Sequence, residues 1–121
     1  IFLGGPVKND SLFFIHTMGD NIDNSAEIMD GLYWGGDIEQ VKEMITLKLI
    51  KPSDIRFYIG YSGWGANQLA GELKRNSWVV SGMPARELLN IDPVALWKKS
   101  LNKLGDTYAY WPNFPADPAS N

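Results

Sequence analysis

The sequence predicts an α+β domain, and three observations carry that prediction. Ile55 to Tyr61 alternates apolar and other residues with a period of two, which is a strand pattern. Ile38, Val41, Met44, Ile45 and Leu49 recur instead at three- and four-residue spacing, the pattern of a helix with one buried stripe. Between Ile55 and Lys74 the chain reads as strand, glycine turn and helix in immediate succession.

The elements follow in order. Ile1 to Leu3 reads as a short strand, stopped by Gly4-Gly5-Pro6. Leu12 to Met18 is a second strand with Leu12, Phe14 and His16 on one face and Phe13, Ile15 and Thr17 on the other. Bulk on both faces marks it as interior. Gly19 to Ser25 is a polar loop. Ala26–Met29 and Leu32–Trp34 flank Asp30-Gly31, a hairpin signal of the type I′ kind. Asp37 caps the first helix and Gln40 completes a capping-box pattern, with Pro52 marking the stop. After the Ile55 strand, Gly63-Trp64-Gly65 turns the chain into a helix over 66–75. Gly71 lies inside that helix, where a close backbone contact would explain it. Trp78 to Val80 reads as a short strand and Pro84 to Leu89 as a helical turn. Asp92-Pro93 opens a last helix with Val94, Trp97, Leu101 and Leu104 as its stripe, ended by Gly105. Thr107 to Trp111 adds a strand, and Pro112, Pro115 and Pro118 impose an irregular tail.

Length and composition limit the function classes. The 121 residues are 45% apolar and 21% charged, which fits one folded domain over 1–121. The net charge of −3 and the pI near 5.0 count against nucleic-acid binding. Without cysteine there is no disulfide, thiolate metal site or cysteine nucleophile. No apolar run approaches membrane-spanning length, so a cytoplasmic protein is expected. The apolar start at Ile1 reads as a strand entered midway. The expectation is an N-terminally truncated domain whose exposed sheet edge favours self-association.

Candidate chemistry centres on the glycine turn. Ser62 between strand and helix resembles a nucleophile elbow, but Trp64 stands where that motif needs glycine. The base would be His16, the chain's one histidine, which its apolar neighbours mark as a hydrogen-bonded core residue. Neither a Walker lysine nor a GxGxxG run is present. Backbone N–H groups of Gly63, Trp64, Gly65 and Ala66 form a candidate anion site at a helix start. Asp20, Asp23, Glu27 and Asp30 do not match a calcium loop, so no metal or cofactor is expected. Lys98, Lys99 and Lys103 form a solvated helix face. Trp34, Trp78 and Trp97 occupy core-like positions, whereas Trp64 and Trp111 adjoin turns and are candidates for a pocket or interface.

Several segments together resemble the YqgE/AlgH family of bacterial proteins. They are Leu3-Gly4-Gly5-Pro6-Val7, Phe14-Ile15-His16-Thr17, Gly31 through Gly36, and Phe57 through Trp64. Gln68-Leu69, Asn76-Ser77-Trp78, Leu96-Trp97 and Leu104-Gly105 extend the likeness in order along nearly the whole chain. The resemblance implies a mixed, bulged, barrel-like sheet flanked by about three helices, lacking its usual N-terminal portion. It brings no established catalytic residues. Family members are often labelled transcriptional regulators, a label at odds with the acidic balance and the missing basic recognition helix. Many members carry alanine where Ser62 stands and proline where Ala66 stands. The expected function is a non-enzymatic binding or regulatory domain for a protein or small-molecule partner. The alternative is a small-anion-binding protein or hydrolase-like enzyme using the Gly63–Ala66 helix start with Ser62 and His16.

Overall fold

A computed structural model describes residues 1–103 and 105. Its centre is a five-stranded mixed sheet in the order β1-β5-β2-β4-β3, formed by Phe2–Leu3 (β1), Val7–His16 (β2), Ala26–Met29 (β3), Leu32–Trp34 (β4) and Ile55–Tyr61 (β5). The helices are Ile38–Thr46 (α1), Gln68–Lys74 (α2), Ala85–Asn90 (α3) and Pro93–Lys103 (α4). The sheet is open, with β1 and β3 at its edges, so the expected barrel-like closure is not found, and four helices replace about three.

Both faces of β2 are covered at its Phe14–His16 end, while Val7 to Phe13 stay exposed or half-buried. Phe14 joins Ile22, Val41, Ile50 and Ile55 in one core, sealed by Ile38 and Met44 of α1. Ile15 joins Leu32 and Leu89 in a second core on the opposite face, sealed by Ala85 and Leu88 of α3. Lys99 of α4 pairs with Glu87 of α3, and Lys103 donates to the Gly82 carbonyl, which ties α4 to α3 and the segment before it.

The pairing of β2 with β5 slips between Val7 and Leu12. There Gly60 has φ +74°, and a Cβ on it would lie 2.3 Å from the Gly5 carbonyl oxygen. A Cβ on Gly4 would lie equally close to the Gly60 oxygen. The two backbones touch, and only glycine fits between them. This bulge adds Val7 to Ser11 to β2, a stretch whose pattern the irregularity hides from any period-two reading.

Several local expectations change. Asp30 stays outside the positive-φ region while Gly31 has φ +76°, and the β3–β4 register slips between Glu27 and Met29, so the hairpin turn is bulged and not type I′. Asp37 caps α1 by accepting from the Glu39 and Gln40 N–H groups, yet the Gln40 side chain accepts from the Asp23 N–H instead of closing the box. Lys48, at φ +60°, ends α1 before Pro52: its N–H reaches the Ile45 carbonyl and the Leu49 N–H reaches that of Met44. That early turn leaves Ile45 and Leu49 exposed, outside the buried stripe. Gly71 faces the flexible end of Arg75, with no close backbone contact to explain it. Trp78–Val80 is not a strand, and Trp78 and Trp34 are exposed. In α4 Leu101 is buried, Trp97 half-buried and Val94 exposed. Leu104, the Thr107–Trp111 strand and the proline tail lie outside the described residues.

Two substitutions separate backbone from cap effects. Gly60→Ala is expected to cost about 1–3 kcal/mol from its φ alone, and more from the clash with Gly5. Asp37→Ala is expected to cost about 1 kcal/mol. Urea denaturation of both variants checks the order.

Candidate functional site

The second core covers one sheet face only in part. α3 has six residues and seals the half of that face near Ile15 and Leu32. Toward the bulge the face stays open, and a cleft of about 510 Å³ lies there. Phe13 and Tyr58 stand directly opposite each other across β2 and β5, and Trp34 lies beside Ile15 across β2 and β4. Phe13 stacks on Trp34 at 5.6 Å and meets Tyr61 edge-on at 5.4 Å. Tyr61 reaches this face because the Gly60 bulge breaks the alternation of β5. Ile28, Ser62 and Trp64 complete the wall, which carries no acidic or basic side chain.

The corner beside the cleft is held by Glu72. Its Oε2 accepts from the indole N–H of Trp64 at 3.1 Å and from that of Trp78 at 2.5 Å, while Oε1 accepts from Gln68 at 3.0 Å. The two indoles meet edge-on at 5.5 Å. The Trp78, Gln68 and Trp64 donors hold the Glu72 carboxyl below its usual range.

The six residues singled out in the sequence divide between several places. Ser62 and Trp64 line the cleft; Gly63, Gly65 and Ala66 do not. The helix begins at Gln68 after Asn67 at φ +61°, so 63–66 form a turn ahead of the helix and not its start. The Gly65 N–H is already bonded to the Gln68 side chain at 2.9 Å.

His16 pairs with Ile55 at one end of β5, and Ser62 follows Tyr61 at the other. Some seven residues of strand, roughly 20 Å, separate them. His16 is fully buried. Its Nε2 lies 2.9 Å from the Gly35 carbonyl, which can only accept, and 2.9 Å from Ser25 Oγ. Its Nδ1 accepts from the Met18 N–H at 3.2 Å. Those partners select the neutral ring protonated at Nε2. Burial lowers its pKa, outweighing the Gly35 bond. The histidine ties the end of β2 to the polar loop and to the chain after β4. No group of three or more carboxylate or histidine side chains among the described residues could hold a metal ion.

Glu72 and the open aromatic face escaped sequence reasoning. Phe13 and Tyr58 were visible as aromatics on the strand faces opposite Phe14 and Phe57, but their exposure depends on how short α3 is.

A family model described as AlgH-like matches residues 1–109. Among curated relatives, a UPF0301 protein of Chlorobium limicola is 41% identical over 122 residues, covering all of this chain and 65% of the relative. One from Cytophaga hutchinsonii is 39% identical, again over all of this chain and 67% of its own length. The chain thus spans about 65% of the Chlorobium relative's length. The solution structure of the AlgH protein from Pseudomonas aeruginosa superposes with a TM-score of 0.69 at 25% identity, covering 93% of this chain and 58% of that one. A crystal structure from Corynebacterium diphtheriae gives 0.72 at 18% identity, over 94% and 60% of the two chains, a likeness of fold alone.

Two pH effects follow. His16 has a lowered folded-state pKa, so the unfolded chain binds its proton first as pH falls. Stability should therefore decline as pH drops below about 6.5, and His16→Gln should flatten that slope in denaturation curves. The Glu72 contacts persist above its lowered pKa and are lost in stronger acid. Glu72→Leu should give at neutral pH the tryptophan emission that the parent reaches only in acid.

Proposed function

The chain belongs to the AlgH-like family, and from that premise we propose that it is a non-enzymatic binding domain whose ligand site is the aromatic cleft beside the Gly60 bulge. The observation that carries the reading is the wall itself: Phe13, Trp34, Tyr58, Tyr61 and Trp64 line one concavity that carries no carboxylate, ammonium or guanidinium group. Apolar concavities of this size with aromatic walls are the usual setting for small uncharged ligands. The ligand class is a flat, mostly apolar small molecule, with the Ser62 hydroxyl as a polar contact at the rim. A regulatory role would follow from ligand-dependent packing of the corner that Glu72 holds.

The hydrolase-like alternative has no geometric support, since Ser62 and His16 stand at opposite ends of β5. Anion binding at 63–66 is weakened by the bonded Gly65 N–H and the later helix start. Lys99 and Lys103 are engaged by Glu87 and Gly82, which counts against an open basic stripe for nucleic acid. No helix among the described residues is long and apolar enough to cross a membrane, and a cytoplasmic setting and a single-domain organisation are part of the proposal.

Titration with indole, followed by NMR, tests the reading. The Trp34 and Trp64 side-chain N–H signals should move first, and Trp34→Ala should weaken binding at least fivefold. Ile28→Lys, on an exposed wall position, should do the same without touching the aromatic stack. Signals that stay unmoved, or that move elsewhere alone, would withdraw the cleft as the site.

A further inference from the structure

The corner that follows β5 is built by side chains of α2. Gln68 and Glu72 stand four residues apart and so share one face of the helix. Gln68 Oε1 accepts from the Gly65 N–H at 2.9 Å, and its Nε2 donates to Glu72 Oε1 at 3.0 Å. Glu72 Oε2 receives two indole N–H groups, that of Trp64 from before the helix and that of Trp78 from after it. One carboxylate therefore ties the turn ahead of α2 to the segment behind it. Its three donors are all neutral, and they hold the carboxyl below its usual range, so the accepting form persists at neutral pH.

The two indoles differ in where they stand. Trp64 lines the aromatic cleft and Trp78 does not, although their rings meet edge-on at 5.5 Å. Trp64 is 40% exposed and flanked by Gly63 and Gly65, so core packing does not fix its ring. An indole has one N–H donor, and here that donor points at Glu72. The bond sets how the ring faces the cleft. Trp78 in turn opens the stretch 78–84, which has no regular secondary structure and leads into α3.

Resting on the cleft reading above, we infer that Glu72 is the positioning residue of that site: it holds the Trp64 ring in the wall and couples occupancy of the cleft to Trp78. A ring ordered before the ligand arrives does not have to be ordered by it, so the bond raises affinity without touching the ligand. A ligand that stacks on Trp64 and shifts its indole also shifts the oxygen that Trp78 shares. The effect is reciprocal, because whatever repositions Trp78 changes the cleft by the same factor.

Titration of the nitrogen-labelled chain with indole, followed by NMR, tests this. In the parent the side-chain N–H signals of Trp34, Trp64 and Trp78 should move along one saturation curve. Glu72→Leu should weaken indole binding about three- to tenfold, keep the Trp34 shift and abolish the one at Trp78. Glu72→Gln, which retains an acceptor oxygen, should restore part of the affinity. Trp64→Phe lies at an exposed turn position and reports even where Glu72→Leu fails to fold. It keeps a ring in the wall but no donor, so it too should weaken binding and silence Trp78. The double variant should bind no worse than the poorer single one, since both remove the same contact. A Trp34 signal that never moves would withdraw the cleft and this inference with it. The role of Glu72 alone is overturned, with the cleft left standing, if Trp34 moves while Trp78 stays still, if Glu72→Leu binds as tightly as the parent or keeps the Trp78 shift, or if the losses multiply in the double variant.

Discussion

The close approach of the Gly4-Gly5 segment to Gly60 governs the rest of the structure. Three residues without side chains let β1 lie against a strand that is itself bulged against β2. Without the bulge, Tyr61 would follow Phe57 and Ile59 to the α1 face. With it, Tyr61 joins Phe13 and Tyr58 on the other face and completes an aromatic wall. The irregularity thus decides which side of the sheet receives the aromatic surface, and the two cores explain why that surface stays open. α1 and the loop through Ile22 cover the Phe14 end of one face and leave Leu12 and Ile59 exposed, while six residues of α3 seal only the Ile15 end of the other.

How much of this was legible in the sequence depended on whether local chemistry or distant backbone set the conformation. β5 alternates in the sequence and spans the expected Ile55–Tyr61. The β3 and β4 boundaries follow from Asp30-Gly31, and α4 starts where Asp92 can accept from the Val94 and Ala95 N–H groups. Each of these signals acts within four residues. Val7 to Ser11 failed because the bulge belongs to two strands at once. The α2 start failed because Gly63–Ala66 looks like a helix entry, while the Gln68 side chain closes the turn onto Gly65 and delays the helix. Trp78 looked like a core residue because tryptophan usually is one, yet its indole is spent on Glu72 at the surface. The burial of Ile45 and Leu49 failed for the same kind of reason, since the Lys48 turn ends the helix before its stripe is used up.

The candidate site divided along the same line. Ser62 and Trp64 could be singled out because glycines around them announce a turn. Their real neighbours, Phe13, Trp34 and Tyr58, come from other strands and become neighbours through register alone. His16 shows the converse. Its apolar surroundings already marked it as a core residue, and its partners at Met18, Gly35 and Ser25 use both ring nitrogens. A histidine so occupied has no nitrogen left to serve as a base, whatever its distance from a serine.

β5 carries two settings of different chemistry on one face, and its sequence explains why they differ. Arg56 and Tyr58 project on the same face, two residues apart, but their surroundings differ. At the Arg56 end, the Ile91 carbonyl that follows α3 and the Phe2 ring fix a cation in a largely dry setting. The Tyr58 ring packs in part against the core that α3 seals and joins Phe13 in a wall without carboxylate, ammonium or guanidinium groups. An electrostatic contact is strongest where water is excluded, so the dry setting strengthens the bond of Arg56 to the Ile91 carbonyl. The aromatic wall instead gains by covering ring surface, which on the proposed reading favours a neutral ligand. Among the described residues, Ser62 and His16 lie at opposite ends of β5 and do not come together. What β5 organises is the aromatic wall, because its register sets Tyr58 against Phe13 and its bulge brings Tyr61 to the same ring.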